Sequence, residues 1–290
     1  MSNTAPPNTT PPRVLTDEQI AAYERDGFVA VAGLVAADWL ARLTEVTEEF
    51  VERSRTCDRS DLRFDLEPGH TPERPRLRRL NSPVDQHATY WEFASTSMIV
   101  DAACDLLGPD VKFHHAKLNF KAAHGGEEVQ WHQDIQFWPH TNYSPLTIGV
   151  FLADVEPGMG EVGFVPGSHT GELFDQYDGD RWRGALAPED LRRVALDRAV
   201  FPTGPAGTVT IHNCRTVHGS APNTSDRARP LLLQTYTSAD AFAYTDLVRA
   251  SRYGEMLVRG EPARWARHDP RPCQVGPTRY RSIFQVQQGA

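Results

Sequence analysis

Short runs of alternating apolar and polar residues, separated by Gly- and Pro-containing turns, recur along the sequence after two helical patterns near its start. No stretch repeats internally, which argues against a solenoid. Together these observations predict a mainly β protein with flanking helices, a double-stranded β-helix of the jelly-roll, cupin-like type. We expect residues 1–14, rich in Pro, Thr and Asn, to be a disordered tail, and residues 15–290 to form a single domain.

Helical spacing accounts for the flanking helices. Thr16 and Gln19 form a capping-box pattern that starts the first helix. Apolar residues recur at helical spacing over 36–53 and again over 91–107. The polar stretch 55–90 lacks this pattern and is predicted to be a solvated loop. A cluster of arginines within it also permits a contact to an anionic substrate: Arg74, Arg76, Arg78 and Arg79.

Alternating patterns predict the strands of the barrel. In chain order they cover 28–31, 111–121, the segment around His132, 146–153, 162–165, 208–211 and 229–235. On the second of these strands, Lys117, Asn119 and Lys121 share one face, which suits a wet ligand cavity or solvent. Residues 170–200 are interpreted as a lid or a surface excursion, and 280–284 as a last strand or an extension over the pocket.

The segment Trp131-His132-Gln133-Asp134 carries the most informative pattern. Side chains alternate faces along a strand, so His132 and Asp134 point the same way. The best candidate for a third metal ligand is His218, which is followed by Gly-Ser-Ala-Pro-Asn. Two histidines and one carboxylate on one face of a metal, with other positions open, are the ligand set of non-haem Fe(II) oxygenases.

An arginine after the last of these histidines extends the pattern. Arg229 lies eleven positions after His218, at the start of an apolar run. A guanidinium grips a carboxylate through two parallel hydrogen bonds, so Arg229 is predicted to clamp the dicarboxylate 2-oxoglutarate. Arg227 competes for this role, but the spacing favours Arg229. His212 likewise competes with His218 as the third ligand, and His169 is assigned to a structural turn.

Composition excludes several function classes. The chain has 290 residues and a net charge of −8, which argues against a basic nucleic-acid-binding face. No apolar run is long enough for a membrane span, and the N-terminus lacks a signal pattern, so a cytoplasmic location is predicted. The oligomeric state is left open. The cysteines are scattered and expected to be free thiols: Cys57, Cys104, Cys214 and Cys273.

With these motifs in order, the chain resembles the phytanoyl-CoA dioxygenase family of Fe(II)/2-oxoglutarate-dependent oxygenases. The resemblance runs from about residue 15 to about residue 240. The shared pattern consists of Leu15-Thr16-Asp17-Glu18-Gln19 through Asp26-Gly27-Phe28-Val29, then His-Gln-Asp at 132–134, Pro-Gly-Ser-His at 166–169, His-Gly-Ser-x-Pro-Asn from His218, and the arginine at plus eleven.

The resemblance implies the jelly-roll fold, Fe(II) as the metal, and 2-oxoglutarate and dioxygen as co-substrates for oxidising a C–H bond of a small molecule. It implies His132, Asp134 and His218 as the catalytic metal ligands. Related halogenases have a small residue in place of Asp134, so its carboxylate favours hydroxylation. Further co-substrate contacts are implied at Lys117, Gln133 and Thr147.

Some alternatives remain open at this stage. A regular strand would turn Gln133 away from the metal, which conflicts with a co-substrate contact. Thr208 and Glu161 depart from the family pattern, where Asp and a small or apolar residue are more common. A cupin-like metal-binding protein without turnover and a zinc hydrolase also use such ligands. The family oxidises acyl-CoA, amino-acid-like and natural-product substrates, by hydroxylation, desaturation, cyclisation or peroxidation, and the sequence does not choose among them.

Overall fold

The computed structural model describes residues 13–246, 251–277 and 282–288, so most of the predicted tail lies outside the described residues. The helices are α1 (Asp17–Asp26), α2 (Ala37–Ser54), α3 (Pro83–Gln86), α4 (Ala88–Thr96), α5 (Met98–Leu107), α6 (Pro188–Leu191) and α7 (Ile283–Gln288). The strands are β1 (Phe28–Val31), β2 (Phe64–Leu66), β3 (Leu77–Asn81), β4 (Val111–Lys121), β5 (Val129–His132), β6 (Leu146–Phe151), β7 (Val162–Phe164), β8 (Tyr177–Asp178), β9 (Arg181–Trp182), β10 (Val209–Asn213), β11 (His218–Ser220), β12 (Arg229–Ser238) and β13 (Leu257–Arg259).

Two antiparallel sheets build the jelly roll. The larger has the order β1-β10-β6-β12-β4-β3-β2, with β13 also paired to β4, and the smaller has the order β5-β11-β7. The strands β8 and β9 form a separate hairpin-like pair. Apart from the consecutive run β2-β3-β4, the neighbouring strands of these two sheets are non-consecutive, as expected for a double-stranded β-helix, so the predicted fold class is confirmed.

A β-bulge divides strand β4 into two parts. Thr235 lies opposite His115 and Tyr236 lies opposite Phe113, so His114 is an extra residue without a cross-strand partner. A bulge of this kind changes which side chains face each side of the sheet. After the bulge, Lys117 and the alternate polar residues that follow it line the cavity between the sheets.

The helices cover the outer face of the larger sheet. The capping box that starts α1 is present, with Gln19 N bonded to Thr16 Oγ1. Buried residues of α2 and α4, including Phe50, Tyr90 and Phe93, join the main apolar core with the outward-facing residues of the sheet. The hydroxyl of Tyr236 donates to the carbonyl oxygen of Ala94 at 2.7 Å and so fixes α4 against β12.

The helix predicted over 91–107 is interrupted at Ser97. Three consecutive hydroxyl side chains bond back to helix carbonyls: Ser95 to Trp91, Thr96 to Glu92 and Ser97 to Phe93. Such bonds compete with the helical ladder, and Ser97 takes an extended conformation between α4 and α5. The single-helix prediction was therefore wrong at this residue.

The arginine-rich stretch predicted as a solvated loop contains strand β3, so that prediction was also wrong. Arg76 pairs with Glu67 at 2.9 Å, and Arg78 pairs with Glu127 at 2.8 Å. Because each guanidinium is paired with a carboxylate, these charges can be largely buried. Arg79 is also buried and lines the cavity.

The C-terminal segment forms a helix over the cavity, which confirms the extension over the pocket rather than a last strand. Ile283 and Phe284 of α7 line the cavity. The guanidinium of Arg79 lies 5.2 Å from the ring centre of Phe284, and Gln287 donates to the carbonyl of Gly184.

Among the helices that the structure describes, none combines the length and apolarity needed to cross a membrane.

Candidate metal centre

Three short segments bring the predicted metal ligands together. His132 ends β5, Asp134 begins a 3-10 turn directly after it, and His218 begins β11. His132 and His218 are cross-strand partners in the smaller sheet, which sets their rings 4.1 Å apart. One ligand atom from each of the three residues lies within 4.8 Å of the others.

Both histidines have a fixed orientation. His132 Nδ1 donates to the carbonyl of Gln130 at 2.8 Å, and His218 Nδ1 donates to the carbonyl of Thr216 at 2.9 Å. A carbonyl oxygen can only accept, so Nδ1 carries the hydrogen of this bond in each residue, and Nε2 is the ring nitrogen left for a metal. Nε2 faces Asp134 in both residues, at 3.5 Å and 3.9 Å. This is the arrangement that outer hydrogen bonds impose on metal-binding histidines.

The carboxylate of Asp134 is held in its charged form. Burial raises its pKa, but Lys117 and the surrounding imidazoles outweigh burial and hold the pKa well below its usual value. Burial and the neighbouring imidazoles of His132 and His212 lower the pKa of His218. At neutral pH the cluster therefore offers an ionised Asp134 and a neutral His218, protonation states that metal binding requires.

A fourth side chain, His212, was not predicted as part of the site. Its Nε2 lies 3.6 Å from Asp134 Oδ2, and both of its ring nitrogens are buried without a hydrogen-bond partner. It faces the cavity from β10, directly opposite Thr147 of β6. It lies beside the carboxylate but is not one of the three residues of the ligand group.

Arg229 lies in the same cavity as the metal ligands. Its side chain is buried, and Nη2 donates to the carbonyl of Gly160 at 2.7 Å. The remaining donors Nε and Nη1 are buried with no partner. Burial lowers the pKa of Arg229 to about 10, opposed by Glu161. A buried guanidinium with two unused donors is prepared for an anionic ligand.

The cavity joins Arg229 to the metal ligands and encloses about 640 Å³, its mouth included. The predicted polar face of β4 lines it, with Lys117, Asn119 and Lys121. Thr147 also lines it, and its hydroxyl is bonded to that of Thr235 at 2.9 Å. Among the described residues, the ammonium of Lys117 has no hydrogen-bond partner.

Gln133 faces away from the cavity, which contradicts the predicted co-substrate contact. Its Nε2 donates to the carbonyl of Arg215 at 2.8 Å and to that of Glu172, and its Oε1 accepts from the backbone of Phe174. Both polar atoms of its side chain are therefore used to anchor residues 172–174 and Arg215. Regular strand alternation predicted that Gln133 points away from the metal, and this is the side on which its side chain lies.

The other competing residues lie outside the cavity lining. Arg227 is half exposed and pairs with Glu156 at 2.7 Å. His169 bonds to the carbonyl of Glu24 at 3.1 Å, in agreement with a structural turn. The four cysteines are free.

The donor set fits Fe(II). Two imidazoles and one carboxylate converge from one side, and the other side opens to the cavity that holds Arg229. This matches the facial ligand set with exchangeable positions that non-haem iron oxygenases use. The unused donors of Arg229 fit the distal carboxylate of 2-oxoglutarate.

Comparisons with known proteins agree with this geometry. A family model described as phytanoyl-CoA dioxygenase matches residues 23–231. The chain is 32% identical to the probable alpha-ketoglutarate-dependent hypophosphite dioxygenase of Stutzerimonas stutzeri, with 89% of this chain and 91% of that protein covered. It is 26% identical to the ectoine dioxygenase of Sphingopyxis alaskensis, covering 86% and 85%. The structure of EctD from S. alaskensis with 2-oxoglutarate and 5-hydroxyectoine matches with a TM-score of 0.67 and 25% identity, over 94% of this chain and 90% of that chain.

Proposed function

The chain belongs to the phytanoyl-CoA dioxygenase family, and we propose that its His132, Asp134 and His218 hold the iron with which it oxidises a small anionic molecule. The enzyme is an Fe(II)- and 2-oxoglutarate-dependent dioxygenase, an oxidoreductase. Bound iron supplies the oxidising chemistry: 2-oxoglutarate and dioxygen are consumed to give succinate, carbon dioxide and a substrate oxidised at a C–H bond.

The observation that carries the proposal is the position of Arg229. A metal-binding protein without turnover, or a zinc hydrolase, has no use for a buried guanidinium whose two unused donors face the cavity of the ligand cluster. The distal carboxylate of 2-oxoglutarate offers an acceptor to an unused donor and offsets a buried charge. Lys117 and Thr147, which line the same cavity, complete the co-substrate contacts in this proposal.

The cavity charge supports an anionic substrate. Four basic side chains line the cavity, against the single carboxylate of Asp134: Arg79, Lys117, Lys121 and Arg229. Fe(II) adds two positive charges and 2-oxoglutarate removes two, so the lining keeps an excess of positive charge after both have bound. Such an excess attracts and orients an anion. A substrate with a carboxylate or a phosphorus oxoanion fits this cavity better than a neutral one.

Apolar residues close the cavity around the reacting groups. Phe164, Leu231 and Leu233 lie on the sheet side and Phe284 lies on the α7 side. They exclude water from the substrate and strengthen the charge interactions within the cavity.

We infer that residues 15–290 act as one oxygenase domain, since one apolar core runs from Leu15 to Tyr236. We also propose that the protein is cytoplasmic, as its sequence predicts.

Anaerobic titration tests the metal and co-substrate assignments. Apo-protein is mixed with Fe(II) and then with 2-oxoglutarate, and the weak visible charge-transfer band of the chelate is recorded. We expect the band in the wild type, its loss in His132→Ala, and at least tenfold weaker 2-oxoglutarate binding in Arg229→Ala. Arg227→Ala is the matched control, because it removes an exposed arginine only two residues away. A band that is unchanged in Arg229→Ala would contradict the assignment.

Succinate release tests the substrate class. The panel pairs each anion with a neutral analogue of the same size, such as a carboxylic acid with its amide and an alkylphosphonate with its diester. Hypophosphite, ectoine and L-proline are included because three similar enzymes are named after these compounds. We expect turnover with anionic members and none with their neutral partners. Turnover that follows the neutral members would refute the anionic class while leaving the iron assignment intact.

A further inference from the structure

A second group of metal-ligating side chains lies outside the cavity of the iron site. It consists of His114, His140 and Glu255, whose ligand atoms all lie within 4.8 Å of one another. His114 is the extra residue of the β4 bulge, His140 lies in the segment before β6, and Glu255 lies in the segment before β13. None of the three lines the iron cavity.

Both histidines have a buried nitrogen with no partner. His114 and His140 are each 1% exposed, and the Nε2 of each lacks a hydrogen bond. The Nδ1 atoms are already used: that of His140 donates to the carbonyl of Trp138 at 2.7 Å, and that of His114 bonds to Nδ1 of His115 at 2.7 Å. Buried polar atoms are rarely left unsatisfied, so two such atoms beside a carboxylate indicate a missing ligand.

The hydrogen bonds leave lone pairs where a metal needs them. A proton on Nδ1 of His140 is required by its bond to a carbonyl oxygen, and Nε2 is then unprotonated. His114 reaches the same state when its Nδ1 donates to His115. Burial lowers the pKa of both residues, and the neighbouring His115 adds to this effect at His114. Neutral imidazoles fixed by a second hydrogen bond are typical metal ligands.

Glu255 contributes the carboxylate from the solvent side. Its Oε2 pairs with Lys112 Nζ at 2.6 Å, and the same ammonium donates to the carbonyl of Ala241. The ion pair uses Oε2, and the other carboxylate oxygen remains for a metal. Glu255 has a φ of 66°, which is uncommon for a residue with a side chain, and its N–H is held by the carbonyl of Phe113. Because Glu255 is exposed, an ion can enter from this side.

We propose that His114, His140 and Glu255 form a zinc site, with water as the fourth ligand on the exposed side. Two imidazoles, one carboxylate and a water make the four-coordinate set that Zn²⁺ accepts. The ion links β4, the segment before β6 and the segment before β13, which are distant in sequence. Its role is therefore to hold these three segments together, independently of iron chemistry.

Metal stoichiometry tests the proposal. The full-length protein is stripped with a chelator and dialysed against Zn²⁺, and bound zinc is measured by elemental analysis. Zinc occupies the iron ligands as well, so we expect two equivalents in the wild type and one in His132→Ala. We expect one equivalent of zinc in His140→Ala and none in the double variant that carries both His132→Ala and His140→Ala. His268→Ala, which removes an exposed histidine, is the control and should retain two equivalents.

A second variant keeps the test valid if His140→Ala fails to fold. Glu255→Gln preserves the size of an exposed side chain and, combined with His132→Ala, should weaken zinc binding at least tenfold. Zinc should also raise the Tm of His132→Ala, and this rise should be lost with Glu255→Gln. An absence of zinc binding by folded His132→Ala, or unchanged binding after Glu255→Gln, would overturn the proposal.

Discussion

Replacing Arg229 with methionine should stabilise the protein when metal and 2-oxoglutarate are absent and remove its response to 2-oxoglutarate. Arg229 is 3% exposed and leaves Nε and Nη1 without a partner. Methionine keeps much of the side-chain length without the charge. A buried charge that waits for its ligand costs stability, and apolar replacement of such a group is often stabilising.

The magnitude follows from the pKa of the guanidinium. Burial lowers the pKa of Arg229 to about 10, which corresponds to a penalty of about 3 kcal/mol for the charged form. Loss of the bond to the carbonyl of Gly160 returns about 1–2 kcal/mol of this. We therefore expect a net gain of about 1–2 kcal/mol, or a rise in Tm of about 2–6 °C. The gain is full at neutral pH, where folded and unfolded states both hold the proton, and shrinks above about pH 10.

Thermal unfolding with and without ligands measures the effect. The chelator-treated proteins are compared first, and then both are compared anaerobically with Fe(II) and 2-oxoglutarate. The wild type should gain about 3 kcal/mol when 2-oxoglutarate is present at a hundred times its Kd. Arg229→Met should gain nothing from 2-oxoglutarate. The order of stability therefore reverses when the ligand is added.

The control is Arg227→Met, which changes the net charge equally. Its ion pair with Glu156 is exposed on both sides, so its stability should change by less than about 0.5 kcal/mol. A chelator-treated Arg229→Met that is less stable than the wild type would refute the reasoning about the unpaired charge. A variant that still gains stability from 2-oxoglutarate would refute the role of Arg229 as the clamp.

Three other substitutions test neighbouring parts of the site. Gln133→Ala should lower the free energy of unfolding in urea by about 3 kcal/mol, because its three backbone partners lose buried bonds, with no change in the Kd for 2-oxoglutarate. His212→Phe should weaken Fe(II) binding about tenfold in anaerobic titrations, because the imidazole of His212 lies against the carboxylate of Asp134 and helps to orient it. Burial and the charge of Arg229 lower the pKa of Lys121 to about 7, so 2-oxoglutarate binding at pH 7.5 should take up a proton, measured by calorimetry in two buffers, and Lys121→Met should abolish this uptake.

Each of these predictions has an outcome that contradicts it. An increased 2-oxoglutarate Kd in a stable Gln133→Ala would restore the contact predicted from the sequence. His169→Gln is the control for His212→Phe, since His169 is a half-buried histidine outside the cavity lining. Equal iron affinities in the two variants would exclude a specific role for His212. For Lys121 the sign also predicts that its contribution to stability rises between about pH 7 and its higher unfolded pKa. A fall over this range would show that the ammonium is not destabilised by burial.

The ligand cluster could be predicted from the sequence because its geometry is local. His132 and Asp134 are two residues apart, and His218 required only one cross-strand pairing. The strand β3 could not be predicted in the same way. Arg76 directly precedes this strand and Arg78 lies within it, and both appear too polar for a sheet until the fold brings Glu67 and Glu127 beside them. The charges of Arg76 and Arg78 are neutralised by residues that no local pattern connects to them.

The bulge at His114 shows a different limit. Simple alternation along β4 would place Phe113 on the same face as Lys117. The bulge shifts the register, so Phe113 joins the apolar core while Lys117 lines the iron cavity. A bulge is defined by two strands together, since β12 has one residue fewer over the same length. One strand read alone therefore could not reveal that His114 is turned towards His140.

His212, in contrast, carried a readable signal. Along β10, Val209 and Ile211 are apolar, whereas Thr210 and His212 are polar and share the other face. This alternation places His212 and Thr210 on the cavity side, where the structure finds both. The prediction did not use this alternation, because His212 was considered only as an alternative to His218 for the third ligand. A strand that leads towards a metal ligand can present a second histidine to the same carboxylate, and the face of the strand, rather than the distance along the chain, decides whether it does.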